Sequence, residues 1–191
     1  MTFRSSAQSL AALLFAGVLA IAGTGSASAL DSDAVERFTA SMEALHAYED
    51  ENPFDLDEPE EPEEFVQVMR APMSSQLDQM RDHEAFGDVQ RIVGEHGFAD
   101  VESWAVTGDR VLRAFTALEI EEETPDLRAE LEQTRAQIQE APGMSQEQRD
   151  MALKMIEQTM VPMMEVLDDV PQEDRDAVAP HRSRIADVLK E

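Results

Sequence analysis

The chain has 191 residues, 41 of them acidic and 15 basic, giving a formal net charge of −26 and a pI near 4.2. That balance excludes nucleic acid, which demands a basic footprint, and disfavours an anionic membrane surface. Cysteine is absent, so neither disulfides nor a lipid-modified N-terminal cysteine is available, and stability must come from an apolar core.

The first segment reads as an export leader. Arg4 precedes thirteen apolar or small residues at 10–22, and Ala27-Ser28-Ala29 follows. A short basic start, an apolar stretch too short to span a bilayer, and small residues before a cut after Ala29 predict a signal peptide over residues 1–29. The expected product is periplasmic or secreted, a single helical domain over residues 30–191 with no integral membrane segment. Arg4 is the only charged residue before Asp31, so 14 basic and all 41 acidic residues remain, a net charge of 14 − 41 = −27. Lysine occurs only at Lys154 and Lys190. Such a surface repels itself in dilute buffer and is relieved by screening, which points to a saline habitat.

Helical periodicity runs through the rest, without the alternation of strands, and predicts an all-α bundle of about six or seven helices, several kinked or broken by proline. A first helix starting after Asp31 or Ser32 places Val35, Phe38, Met42 and Leu45 on one stripe and ends near Tyr48. Residues 49–64 hold ten carboxylates with Pro53, Pro59 and Pro62, and predict a solvated acidic connector pinned by Phe54. Helical pattern resumes at Phe65, Val66 and Met69, breaks at Pro72, and continues through Leu77 and Met80. A further helix after Asp82 buries Phe86, Val89, Ile92 and Val93, with Gly97 as a left-handed stop. The central helix begins at Asp100 and turns Val101, Trp104, Ala105, Gly108, Val111, Leu112, Phe115 and Leu118 inward, with Gly108 allowing a neighbour close approach. Thr124-Pro125 reads as N-cap and first position of the next helix, which carries Leu127, Leu131 and Ile138. After Pro142-Gly143, Ser145 and Gln148 form a capping box for a helix that Pro162 should kink. A last helix around Pro180 buries Ile185, Val188 and Leu189.

Candidate chemistry is sparse. Met160, Met163 and Met164 cluster as soft thioether ligands for Cu(I) would, although on a helical wheel Met151, Met155 and Met163 fall in the core and only Met160 and Met164 at its edge. His46, His83, His96 and His181 are scattered, and His96 before Gly97 suits interaction with helix-terminal carbonyls. Asp55-Leu56-Asp57-Glu58 begins like a calcium loop, but Pro59 replaces a ligand and the glycine turn is missing. Trp104 and Phe98 could wedge a core or line a pocket between helices.

Two resemblances follow from particular residues. The stretches Gly97-Phe98-Ala99-Asp100-Val101-Glu102-Ser103-Trp104, Gly108-Asp109-Arg110-Val111 and Gly143-Met144-Ser145-Gln146-Glu147-Gln148 resemble uncharacterised exported bacterial all-helical proteins. Met144-Ser145-Gln146-Glu147-Gln148 is also similar to the Leu-Thr-x-x-Gln motif of the periplasmic chaperones Spy and CpxP, with methionine and serine replacing leucine and threonine and one copy instead of two. This implies helical structure and protein binding, and assigns no functional residue. The reading that emerges is a non-enzymatic periplasmic or secreted protein that binds a protein or envelope partner through an apolar groove. It assigns no catalytic, cofactor or metal residue. The alternatives are a Met-rich copper-binding protein and an enzyme using carboxylates.

Overall fold

A computed structural model describes residues 30–53 and 62–190; the expected leader over residues 1–29, Phe54 and Leu56 lie outside the described residues. All regular structure among the described residues is helical. The elements are α1 (Ser32–Glu51), α2 (Pro62–Arg70), α3 (Pro72–Met80), α4 (Phe86–Glu95), α5 (Val101–Glu123), α6 (Leu127–Glu140), α7 (Gln146–Met155), α8 (Val161–Asp168), α9 (Gln172–Val178) and α10 (Arg182–Val188). A π-helical turn, Ile156–Met160, joins α7 to α8, and a 3-10 turn, Ala179–His181, joins α9 to α10. With α2 and α3 separated by Ala71 alone, these make seven runs of helix, an all-α bundle as the periodicity predicts.

Helix α5 is the axis. It packs against α1, α3, α4, α8 and α9, and its buried residues include Val101, Trp104, Ala105, Val111, Ala114 and Ala117. Small residues at Gly108, Ala114 and Ala117 let the surrounding helices close in. Leu112, Phe115 and Leu118, expected deep inside, are half-buried and pack on the margin of the core. With neighbours on several sides, α5 buries a wider arc than one stripe and includes a charge, Asp109.

Local capping determines where helices begin and stop. Ala34 N donates to the Asp31 carboxylate at 2.7 Å to start α1. At Asp100 a reciprocal box forms: Ser103 N donates to its carboxylate at 2.7 Å, and Asp100 N donates to Ser103 Oγ at 3.4 Å. That backbone donor holds the Asp100 carboxyl below its ordinary range. Gly97 has φ +84°, and Phe98 N reaches back to Val93 O while Gly97 N reaches Gly94 O, the double closure that a left-handed glycine permits.

Several boundaries differ from the expectation. Helix α1 runs three residues past Tyr48, and α2 begins at Pro62, so helix claims both flanks of the acidic 49–64 segment. Thr124 is the last residue of the α5 end, donating to Ile120 O, rather than an N-cap; α6 begins at Leu127 after a Pro125-Asp126 turn. Leu131 is buried there in a small second core with Ile156 and Met164, against which Leu127 and Ile138 pack. The effect of Pro162 takes the form of a π-helical turn just ahead of it, because proline offers no N–H to Gln158 O and crowds that carbonyl.

Candidate functional site

Helices α1 and α3 are both pinned to α5 at Gly108. A Cβ built there would stand 2.4 Å from Phe38 Cε2 and 2.5 Å from Met73 Cγ, so only glycine admits both neighbours. Asp109, next along α5, fixes the start of α3: Met73 N and Ser74 N donate to Oδ1 at 2.8 and 3.1 Å, and Ser74 Oγ donates to Oδ2 at 2.5 Å. Ala71 provides no side-chain cap and Pro72 has no N–H, so a carboxylate from another helix caps α3 instead.

Beyond this pinch, toward the C-terminal ends of α1 and α3, lies a cavity of about 350 Å³. Met42, Leu45, His46 and Glu49 line it from one face of α1, at the three-and-four spacing of a helix; Met73, Gln76 and Met80 line it from α3. Trp104 and Leu112 come from α5, Val89 from α4, and Leu189 from the C-terminal end of α10. Met73, Met80, Val89 and Trp104 are buried, whereas Glu49, Gln76 and Leu189 are exposed, so the lining passes from apolar depth to polar rim. The last helix buries Ile185 and Val188 as predicted, but Leu189 is 46% exposed because it stands at this rim.

Trp104 is held from both sides. Its Nε1 donates to Ser41 Oγ at 2.8 Å, Ser41 Oγ donates to Phe38 O at 2.7 Å, and the Phe38 ring lies at a 5.9 Å centroid distance. With the indole N–H engaged, the ring itself is what Trp104 contributes to the lining. Tyr48 Oη donates to the Asp88 carboxylate at 3.1 Å and ties α1 to α4 nearby. His46 Nδ1 is buried and has no hydrogen-bond partner among the described residues. Phe98, expected beside Trp104, packs on the core margin under the Arg37 guanidinium instead of lining the cavity.

The methionine cluster read from the sequence is divided. Met164 is buried in the second core and Met160 packs on that core, while Met163 packs on the main one. Met163 is therefore divided from Met160 and Met164, which share the second core. Met151 and Met155, expected inside, are each 66% exposed, and Met164, expected at the edge, is buried. The π-helical turn adds a residue between the two halves of this rod, so a wheel at constant pitch misaligns them. The other histidines have structural partners: His96 Nδ1 lies 2.9 Å from Ile92 O, His181 Nε2 lies 2.7 Å from Ser32 Oγ, and His83 Nδ1 accepts from Ala85 N at 3.1 Å. Among the described residues no group of three His, Cys, Asp or Glu side chains is placed to hold a metal ion. Likewise, no described helix is long and apolar enough to cross a membrane.

Charged groups elsewhere hold the bundle together. Asp174, 1% exposed, accepts two bonds from Arg110, at 2.9 Å from Nε and 2.5 Å from Nη2, locking α9 onto α5. Arg184 grips Glu43 at 2.7 and 2.8 Å and holds that carboxyl below its ordinary range. Of the cavity, only Trp104 was legible in the sequence, as a residue that could line a pocket between helices; the buried pair was not. Met42, Met73 and Met80 carried only the signal of core positions, and nothing local says that α1 faces α3. No family model, curated protein or solved structure matches the chain.

Proposed function

We propose that this is an exported, non-enzymatic binding protein whose ligand site is the cavity between α1, α3 and α5. One observation carries the reading: a cavity of about 350 Å³ with thioether and indole lining at depth and a few polar groups at the rim. Small-molecule sites have this volume range and this apolar majority with sparse polar groups. Export is supported by the leader at residues 1–29, and recovery of a chain starting at Leu30 from the envelope or medium tests it.

Trp104 is the only tryptophan, so its emission reports on one wall of this cavity and the core behind it. Titration with the neutral amphiphile phenylbutanol should give a saturable change, several-fold weaker in Met42→Gln, which keeps side-chain length but makes the half-buried lining polar. A flat titration in the wild-type protein would overturn the binding role.

A further inference from the structure

We infer that the ligand of this cavity is a small hydrophobic organic cation, an assignment that rests on the binding role above and narrows it. Among the described residues, Glu49 is the only acidic or basic side chain in the lining apart from His46. A hollow that shares His46 and Glu49 continues along α1 and adds Glu43 and Asp50, again with no lysine or arginine. Glu43 is already paired with Arg184, but Glu49 and Asp50 form no ion pair among the described residues. A carboxylate or phosphate entering here would meet uncompensated negative charge, whereas an ammonium would meet its complement. The field of the whole chain has the same sign and concentrates cations at its clefts.

The depth of the cavity suits the rest of such a molecule. The Trp104 ring and the Met42, Met73 and Met80 sulfurs are polarizable apolar surface, and an indole face attracts a nearby cation. His46 lines both the cavity and the adjoining hollow, where the apolar depth gives way to the acidic rim. Glu49 lies seven residues beyond Met42 on α1, about 10 Å along the axis, so an apolar body and a terminal ammonium separated by a short chain span both ends. A cavity of about 150 Å³ holds benzene, and this one is more than twice that volume, which leaves room for one ring with its chain.

Three probes of one shape and different charge test the assignment: phenylbutylamine, protonated at neutral pH, phenylbutanol and phenylbutyrate. Each is followed by Trp104 emission at low ionic strength, with competition between pairs. The expected order is amine, alcohol, then acid, with the amine about tenfold tighter than the alcohol. Glu49→Gln should weaken the amine about threefold and leave the alcohol unchanged, the size of an exposed charge contact. Equal affinity of amine and alcohol, or an amine preference untouched by Glu49→Gln, would overturn the assignment while the cavity remains a neutral site. Amine binding that fails to displace phenylbutanol is condensation on the acidic surface and overturns it equally. If no probe perturbs Trp104, the binding role falls with it.

Discussion

Gly108 joins helix propensity to packing in opposite directions. In a solvent-exposed helix, replacing it with alanine would gain about 1 kcal/mol. Here the added methyl collides with Phe38 and Met73, both buried, and overpacking of that kind costs about 1–3 kcal/mol, occasionally more. Gly108→Ala should therefore lower the urea midpoint; an unchanged or higher midpoint would show that α1 and α3 do not meet at this residue. Asp174 is the second residue with a large predicted effect. Its carboxylate is fully buried and bonded twice to Arg110, so Asp174→Asn leaves a guanidinium without its buried countercharge. Breaking such a pair from one side costs about 3–5 kcal/mol, and chemical denaturation should show a loss of that order. Exposed pairs such as Arg91 with Asp88 and Glu95 should be close to neutral when removed.

Among the elements, α6 is held thinly for its length, as is α7, which buries no residue at all. Leu131 is the only buried residue of α6, and it belongs to a second core of three buried side chains, whereas α5 is held by the main core. Few buried contacts mean a low free energy of local opening, so hydrogen exchange should show α6 amides far less protected than those of α5. Equal protection would mean that the two cores unfold together. The same contrast explains what could be read in advance. Apart from that of α3, caps are set within four residues, and the Ser145 box, the start of the central helix at Asp100 and the Gly97 stop were all legible from their own neighbourhoods. The π-helical turn was not, since it answers Pro162 together with the packing of α6 and α2 on that rod. Without it the methionines of α7 and α8 cannot be phased, and Met151, Met155 and Met164 were placed on the wrong sides. Asp109 looked like one more surface carboxylate because its partners, Met73 and Ser74, lie 35 or 36 residues away.

At the scale of the molecule, net charge and ion pairs respond oppositely to salt. Arginines bridge helices, as Arg184 does to Glu43 and Arg182 to Glu119 and Glu122, and screening weakens these partly exposed ties. Each is worth about 0–1 kcal/mol, whereas the repulsion among 41 acidic side chains is summed over the whole surface. Repulsion is the larger quantity, so the melting temperature should rise between dilute buffer and molar NaCl. A fall would mean that the arginine ties outweigh it. The cavity belongs to this scale too, because it exists only where α1, α3, α4 and α5 are assembled, and it is the claim on which the functional account stands. Its most direct test is the spectrum of methionine methyl groups labelled with carbon-13 during addition of phenylbutanol. The account predicts that Met42, Met73 and Met80 shift and saturate together while Met144, Met151 and Met155 stay in place. Shifts confined to the exposed Met151 and Met155, or none at all, would contradict it.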